Sequence, residues 1–456
     1  MEEKQLLEIF GAAYSHLNGK NIYEVRNLAR AFGVNAPTTE RKHALIVRII
    51  GAASGTSDPE QRSHRGARVK ASDASGESIA QLQAIIDDCK RKMPYEFQTI
   101  EPGKSSFHDN IDSCHRYGYT DEACTGIAEN LGKGLWRICP QNEDTCLEFP
   151  VIEEKLVKEF NIREGDMVSG YVAQGKGDKP QLMQIAAIEG RPPVFVERRR
   201  FEEVAAEYPT ERYDLSGSEN AVLRAADVLC PVGKGQRVLV LASSGTGKTA
   251  FLQEFGKSVA EKAQVIYLLL GQRPEENGEF KAAIPGCCVF SEAFDSTFAR
   301  RMRAAHLATE RAKRLAEAGK DVVLLVDSLS AYVQASEKQS GDRESGLLDG
   351  KRLFALARKL SGGGSLTVIA TFPDPNGGVD ITKDEFESAA NAVFCFSREA
   401  AEGIFPAFDF TRSFTRRSEQ FTGGVYDKEL VQKLRSAAEE AGTAGVVAII
   451  SEKNEE

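Results

Sequence analysis

The chain has 456 residues, enough for roughly two to four domains. Hydrophobic residues make up 41% of it and charged residues 27%, a balance that is ordinary for a globular protein and excludes general disorder. Because the formal net charge is −9, the protein surface as a whole does not attract nucleic acid. Any nucleic-acid site therefore has to be a local patch.

The cysteine content and the hydropathy pattern predict where the protein resides. Nine cysteines, an odd number, are scattered through the chain, which argues against a secreted disulfide scaffold and for a reducing compartment. No run approaches the roughly 18 apolar residues of a membrane helix, and the start MEEKQLLEIF lacks a signal-peptide pattern. We therefore expect a cytoplasmic protein with no membrane partner.

Residues 1–50 are predicted to form a small helical hairpin. Val25, Leu28 and Phe32 recur at helical spacing in its first helix, and a second apolar run follows in HALIVRII. After it, Gly, Ser, Asp and Arg replace nearly all large apolar residues, as they do in linkers. Residues 51–85 are therefore predicted to be a flexible linker.

Residues 86–190 are predicted to contain a small β-barrel. Their short apolar runs are separated by turn sequences such as REGD and GKGDK. The runs are GLWRI, TCLEF, DMVSGYV and LMQIAAI. Short strands with frequent turns of this kind are typical of small barrels.

The sequence changes to alternating strands and helices from about residue 220. Buried strands are predicted in RVLVLA, QVIYLLL, DVVLLVD and SLTVIAT, and each is separated from the next by a helical stretch. This alternation predicts a doubly wound, mainly parallel α/β sheet. We assign residues 191–440 to this domain and residues 441–456 to a C-terminal tail.

The strongest local signal is ASSGTGKT, which follows the predicted strand RVLVLA and precedes an amphipathic helix. Its glycines let main-chain N–H groups approach phosphate oxygens, and the N-terminus of the helix favours an anion. Lys248 is expected to reach the outer phosphates and Thr249 to bind Mg²⁺. The first position of the pattern is Ala242 instead of the usual Gly. The residues predicted to bind ATP are Ser244, Gly245, Thr246, Gly247, Lys248, Thr249 and Ala250.

A second strand, DVVLLVDS, ends in Asp327. A carboxylate at the carboxyl end of a parallel strand, beside a phosphate loop, is expected to coordinate Mg²⁺. Without its neighbours, this Asp would be equally expected to cap a helix. The nearby Lys248 loop is what favours the interpretation that Asp327 coordinates Mg²⁺. ATP and Mg²⁺ are thus the predicted cofactors.

Several segments resemble the family of the bacterial transcription termination factor Rho. RAADVLCPVGKGQRVLVLASSGTGKTAFLQ is similar to the segment that leads into that family's phosphate loop. LLLGQRPEE, EAFDS, GGGSLTVIAT and IFPAFDFTRSFTRR resemble later segments in the same order. FNIREGDMVSGYV resembles the late strands of its RNA-binding oligonucleotide-binding (OB) domain. The resemblance covers most of residues 17–50 and 126–435.

The resemblance implies a multidomain protein with a helical N-terminal subdomain, a cold-shock-like OB-fold barrel and a RecA-like P-loop NTPase domain. It implies a hexameric ring, of one chain or of mixed chains, that hydrolyses ATP, binds single-stranded RNA and releases transcripts. It also makes RNA polymerase a candidate partner. Phe405 would stack on adenine, and Arg416 would be an arginine finger that reaches the nucleotide of a neighbouring subunit, with Arg273 as a further catalytic residue.

One position of the catalytic motif departs from the family. Gln272 stands where the family has the Glu that polarises the attacking water. An amide does not accept a proton from water at neutral pH, and general-base assistance is typically worth about 10²–10⁴ in rate. A Gln can still orient a water molecule, as it does in some nucleotide hydrolases. We therefore expect ATP binding with slow hydrolysis.

The positions expected to contact RNA are altered as well. ASEKQSGDRESGLLDG is more acidic than the loop it replaces, and FESAAN replaces a Lys-Gly-Thr-Gly stretch, changes that weaken binding of phosphates in the channel. Separately, Gly403 stands where the family has the basic residue that precedes FPA. Trp136 is the only Trp, and its position allows either a barrel-core role or a platform for base stacking. The predicted RNA contacts are Trp136, Arg137, Phe149, Lys338, Arg343 and Lys383.

Three functions remain open. The first is a Rho-like transcription termination factor, an RNA-dependent ring ATPase and helicase that moves along transcripts. The second is an ATP-binding but hydrolysis-deficient paralogue that acts as a regulatory RNA-binding or ring-joining protein, and the missing Glu and channel cations favour it. The third, a rotary or export ATPase, agrees less well with a helical hairpin followed by a barrel.

Overall fold

A computed structural model describes residues 10–32, 34, 41–54, 76–92, 124–140, 149–175, 179–193, 198–284, 286–374, 381–398, 404–423 and 428–452. The chain splits into two compact units. The first comprises Met1–Gly126, Gly132–Phe160 and Met167–Phe195, and the second comprises Ile127–Leu131, Asn161–Asp166 and Val196–Glu456.

Four helices of the first unit share one apolar core. They are α1 (Gly11–Gly19), α2 (Ile22–Ala31), α3 (Lys42–Ser54) and α4 (Gly76–Lys92). α2 begins at a capping box, in which the Asn21 side chain accepts a hydrogen bond from the Glu24 N–H and the Glu24 carboxylate accepts one from the Asn21 N–H. The N-terminal subdomain is therefore helical, as predicted, but it contains more than a hairpin.

The prediction of a linker over residues 51–85 is wrong at both ends. α3 continues to Ser54, and α4 begins at Gly76. Leu82 and Ile86, one helical turn apart on α4, are fully buried in the core that the first three helices form. Cys89 is buried there too, and Ile79 and Ile85 pack against the same core, so α4 carries a helical apolar pattern that the linker prediction overlooked. The domain boundary predicted at residue 86 consequently falls inside α4.

A closed five-stranded barrel follows, and it confirms the predicted OB-type fold. Its strands join in the order β1-β2-β3-β5-β4. They are β1 (Cys124–Asn130), β2 (Trp136–Pro140), β3 (Val151–Ile152), β4 (Met167–Gln174) and β5 (Pro180–Ile188), with α5 (Glu154–Glu159) between β3 and β4. Val168, Val172 and Leu182 are buried because alternate residues of these strands face the interior. The predicted strand TCLEF lies, apart from Phe149, outside the described residues.

The second unit is built on a nine-stranded sheet, whose main path has the order β14-β13-β7-β12-β10-β8-β9. The strands are β6 (Ala206–Glu207), β7 (Arg237–Ala242), β8 (Gln264–Gln272), β9 (Cys288–Ala293), β10 (Asp321–Asp327), β11 (Arg358–Leu360), β12 (Ser365–Phe372), β13 (Ala392–Phe396) and β14 (Phe408–Thr415). Along that path every neighbouring pair is parallel except β13 and β14. The mainly parallel sheet is thus confirmed.

Helices cover both faces of this sheet. They are α6 (Ala221–Leu229), α7 (Lys248–Val259), α8 (Pro274–Ala283), α9 (Phe298–Glu317), α10 (Leu329–Ser340), α11 (Arg343–Phe354), α12 (Ile381–Ala389), α13 (Glu419–Thr422) and α14 (Lys428–Glu452). On β7, Val238 and Val240 join the core under α6, α7 and α14, whereas Leu239 and Leu241 join the core under α9 to α12. This alternation is typical of a doubly wound sheet buried on both sides.

The predicted C-terminal tail, residues 441–456, is wrong over most of its length. α14 runs to Glu452, with non-helical backbone at Ala441 and Gly442 inside it. Val446 and Ile450, beyond this kink, are buried in the same core as α6 and α7. The kink redirects the helix so that a second apolar stretch packs against the sheet.

The parallel strands bring distant parts of the sequence to one edge of the sheet. β7, β8, β10 and β12 all end there, since parallel neighbours point the same way, and open α/β sheets bind ligands at this edge. Within the described residues, no helix is both long and apolar enough to cross a bilayer.

Candidate functional site

The phosphate loop connects β7 to α7. Gly245 and Gly247 have φ of +75° and +85°, a left-handed backbone that glycine adopts without strain. Thr246 is buried, and its hydroxyl donates a hydrogen bond to the Ser243 carbonyl at 2.9 Å. α7 begins at Lys248, so the N–H groups of its first turn point towards the loop and form a site for an anion there.

Asp327 lies beside this loop at the end of β10. It is fully buried, and its carboxylate accepts hydrogen bonds from the Thr371 hydroxyl at 2.7 Å and the Thr249 hydroxyl at 3.4 Å. Lys248 Nζ lies 3.7 Å from the same carboxylate. The strand ends therefore bring together the cation, hydroxyl and carboxylate that were predicted from separate motifs.

The oxygen atoms of Thr249 and Asp327 suit a hard cation such as Mg²⁺. Among the described residues no group of three His, Cys, Asp or Glu side chains converges as it would in a metal site made by protein alone. A Mg²⁺ shared with nucleotide phosphates needs only one or two protein oxygens, so this donor set fits it.

A cavity of about 380 Å³ opens next to the loop. It is lined by Ala242, Ser243, Ser244, Lys248, Ser328, Thr371, Phe372, Pro373 and Asp374. Its walls come from the ends of β7, β10 and β12, which is where a doubly wound sheet binds its ligand.

Gln272 ends β8 on the side of Asp327 away from β12. Its side chain is half-buried, and Nε2 donates a hydrogen bond to the Asp327 main-chain oxygen at 3.3 Å. Oε1 is therefore the atom left to orient a water. The next residue, Arg273, is exposed and precedes α8, and its N–H donates to Glu276 at 3.4 Å.

The connection from β13 to β14 packs on the phosphate loop. The Ala407 N–H donates to the Thr246 carbonyl at 2.9 Å, and the ring of Phe405, which is 58% exposed, lies where a Cβ on Gly247 would meet it at 3.2 Å. Arg398, at the other end of this connection, donates to the Ser244 carbonyl at 2.9 Å. No sequence motif pointed to Arg398, because its contact joins residues 154 positions apart.

Arg416 lies at the opposite edge of the sheet. It is exposed, its N–H donates to the Asn391 carbonyl at 2.8 Å, and Asn391 in turn binds Arg237 at the start of β7. Lys248 follows the other end of β7, about 16 Å along the strand at ~3.3 Å per residue. Arg416 is therefore not brought to the phosphate loop of its own chain.

Comparison with known proteins shows which family the chain resembles. Residues 222–415 match the nucleotide-binding domain of the ATP synthase alpha/beta family. Transcription termination factor Rho of Streptomyces coelicolor is 35% identical to the chain, over 71% of this chain and 80% of that protein. The chain belongs to the Rho family. Rho of Bacillus subtilis is 34% identical over 65% of this chain and 74% of its own. A solved ATPase from the type III secretion system of pathogenic bacteria is 23% identical, covers 57% of this chain and 78% of its own, and has a TM-score of 0.46.

One of the predicted RNA contacts of this Rho-family chain is buried. Lys383, only 8% exposed, binds the buried carboxylate of Asp374 at 3.2 Å, and Arg412 binds the other oxygen at 3.2 Å. Burial by itself lowers the pKa of Arg412, but Cys395 and Asp374 outweigh it and raise this pKa. The ion pair with Asp374, which the sequence does not show, engages Lys383 in this structure, and its contact with RNA stays a prediction.

The other predicted RNA residues of the Rho-family chain are at least partly exposed. Trp136 and Arg137 on β2 are half-buried, and the Arg137 guanidinium lies 4.9 Å from the centre of the half-buried Phe149 ring. Lys338 and Arg343 are exposed where α10 turns into α11. Trp136 is thus neither a core residue nor fully exposed.

Proposed function

We propose that this Rho-family chain is a ring-forming, RNA-binding ATPase that acts on nascent transcripts as a termination factor. The observation that carries the proposal is the convergence of Lys248, Thr249 and Asp327 at one edge of a parallel sheet. Family membership supports the transcript as substrate, because the relatives' names describe transcription termination.

ATP would bind with its phosphates on the loop from Ser244 to Ala250. Lys248 would neutralise the outer phosphates, and Thr249 and Asp327 would hold Mg²⁺, which spreads the charge of those phosphates when bound. The exposed ring of Phe405 packs on Gly247, close enough to the loop to support stacking on adenine.

Hydrolysis would need a neighbouring subunit. An arginine finger stabilises the charge that develops as water attacks the γ-phosphorus and the bond to ADP breaks. Arg416 is remote from its own Lys248, and this distance supports a role at the site of the next subunit in a closed ring, a homo-hexamer or a mixed ring. RNA polymerase is the further partner that we propose for action on transcripts.

RNA would be held by two groups of residues. Trp136, Arg137 and Phe149 combine aromatic rings with a cation on the barrel, the pairing that single-stranded nucleic acids stack on. Lys338 and Arg343 would supply exposed cations on the second unit.

A second candidate, a hydrolysis-deficient regulator, is favoured by one observation. Gln272 commits its N–H to the Asp327 carbonyl, which fixes the amide beside the proposed metal site without giving it a basic group. Such a side chain orients water but does not take its proton. Arg273 would assist as a cation beside it. We infer that hydrolysis is slow, with ATP binding intact.

The test is ATPase turnover of the full chain with and without a cytosine-rich RNA, measured as phosphate release. Gln272→Glu is assayed beside the parent, and Lys248→Ala serves as the control that removes the phosphate cation. RNA-stimulated turnover in the parent that is absent in Lys248→Ala supports the ring-forming, RNA-binding ATPase. No phosphate release by the parent, with turnover in Gln272→Glu, supports the hydrolysis-deficient regulator. No phosphate release by either the parent or Gln272→Glu, together with no ATP binding, contradicts the proposed function.

A further inference from the structure

We propose that Arg398 is a second cation of the phosphate site, which binds the terminal phosphate of the nucleotide from the side of the loop opposite Asp327. The inference rests on the proposed function, since it needs ATP to bind at Lys248, and it extends that function by adding a residue that distinguishes ATP from ADP.

The position of the guanidinium is the first argument. Arg398 Nη2 donates to the Ser244 carbonyl at 2.9 Å. A Cβ on Gly245 would collide with the same Nη2, so the guanidinium lies directly on the loop in the space left by the missing side chain. Because Gly245 also has a left-handed φ, both the backbone and the open space suit only glycine here.

The sheet order is the second argument. β7, which carries the loop, lies between β13 and β12, and β10 follows beyond β12. Asp327 at the end of β10 therefore approaches the loop from one side, and Arg398 just past β13 approaches from the other. A phosphate on the loop would have Lys248 and a metal on one flank and the Arg398 guanidinium on the other.

The free donors of Arg398 are the third argument. A guanidinium has five N–H donors in a planar fork, which matches phosphate oxygens in pairs. Ser244 uses one of them. Arg398 is exposed, and no carboxylate in the described part of the chain pairs with it, whereas Arg412 on β14 is neutralised by Asp374. The donor that Arg398 gives to Ser244 leaves the fork of this guanidinium next to the loop, where a phosphate would lie.

The experiment measures the affinity of the full chain for fluorescent MANT-ATP and MANT-ADP, with unlabelled adenosine as a competitor. Arg398→Gln removes the charge and Arg398→Lys retains it. Arg199→Gln is the matched control, since Arg199 is also an exposed arginine of the second unit. Lys248→Ala tests the proposed nucleotide site itself.

We expect Arg398→Gln to weaken MANT-ATP at least about tenfold, as expected for a lost charge-assisted hydrogen bond, and MANT-ADP by clearly less. Arg398→Lys should recover most of the affinity, and Arg199→Gln should bind like the parent. The ATP affinity of Arg398→Gln should also depend less steeply on salt concentration, since one ion pair with phosphate is gone.

Equal losses for ATP, ADP and adenosine would overturn the proposal, because they would show that Arg398 only shapes the loop. Unchanged ATP affinity in Arg398→Gln, with a loss in Lys248→Ala, would overturn it while leaving the proposed function in place. A parent that binds no MANT-ATP would contradict both.

Gly245→Ala provides an independent variant, since its methyl group would displace the guanidinium. Gly245→Ala should lower the ATP affinity of the parent. The same substitution should lower ATP affinity by less in the Arg398→Gln background, where there is no guanidinium left to displace. Full additivity of the two substitutions would contradict the proposed contact.

Discussion

The hydroxyl of Thr371 donates to Asp327 at 2.7 Å inside the protein, where a carboxylate oxygen without a donor is costly. We expect Thr371→Val, which removes the donor while keeping the shape, to lower the free energy of unfolding by about 1–3 kcal/mol. Thr371→Ser keeps the hydroxyl and should recover most of it. Urea denaturation followed by circular dichroism measures both. Equal stability of Thr371→Val and the parent would show that this hydrogen bond has no net value.

Gln272 allows a prediction that separates stability from catalysis. Gln272→Ala and Gln272→Glu both remove the amide donor to the Asp327 carbonyl, so both should cost about 0.5–1.5 kcal/mol of stability. Only Gln272→Glu supplies a base, so only it should raise RNA-stimulated turnover, by up to ~10²–10⁴. Thermal unfolding and phosphate release are measured on the same samples. Faster turnover in Gln272→Ala would mean that the amide obstructs the water.

At the scale of single elements, α12 and β14 are joined through Asp374, which binds Lys383 from one and Arg412 from the other. We expect Lys383→Gln to cost roughly 1–3 kcal/mol of stability, as loss of a charged hydrogen bond does, and to leave RNA affinity unchanged. Lys338→Gln is the matched comparison: it should leave stability unchanged and lower the slope of log affinity against log salt by about 0.7 for single-stranded RNA. A lower RNA affinity in Lys383→Gln would restore the role that the sequence suggested.

The last helix yields a prediction that follows from its burial. Ile450 is 6% exposed and packs in the core beneath α6 and α7. Ile450→Ala should therefore lower the free energy of unfolding by about 2–5 kcal/mol, whereas Gln432→Ala on the exposed side of α14 should hardly change it. Unfolding is followed by circular dichroism. Tryptophan fluorescence is less suitable, because Trp136, the only Trp, lies in the barrel and not in the second unit. Equal effects of the two variants would contradict the packing of residues 441–452.

These elements show what the sequence could predict. The parallel sheet and the phosphate loop follow from local patterns, namely buried strands of regular spacing and a Gly-Lys-Thr motif that opens a helix. α4 and the end of α14 carry apolar residues at helical spacing, but each directly follows a stretch rich in small or charged residues, and that composition favoured a linker and a tail. Arg398 and the ion pair of Lys383 with Asp374 were missed for a different reason, since side-chain contacts between separate elements leave no periodic trace in the sequence.

At the scale of the whole molecule, the two edges of the sheet separate two residues of the proposed catalytic machinery. The phosphate loop follows β7 at one edge, and Arg416 lies at the other, beside the start of the same strand. The length of β7, about 16 Å at ~3.3 Å per residue, lies between them. The geometry supports a head-to-tail ring, in which each chain offers its loop to one neighbour and its arginine to the other.

A mixing experiment tests this arrangement, in the Gln272→Glu background so that turnover is measurable. Chains with Lys248→Ala and chains with Arg416→Ala should each be inactive, since every interface lacks one of the two residues. In a 1:1 mixture about one interface in four combines an intact loop with an intact arginine from the neighbour, so part of the turnover should return. The recovered rate should also rise with protein concentration as rings assemble. If Arg416 served its own chain, no mixture would regain activity, because no chain would carry both residues.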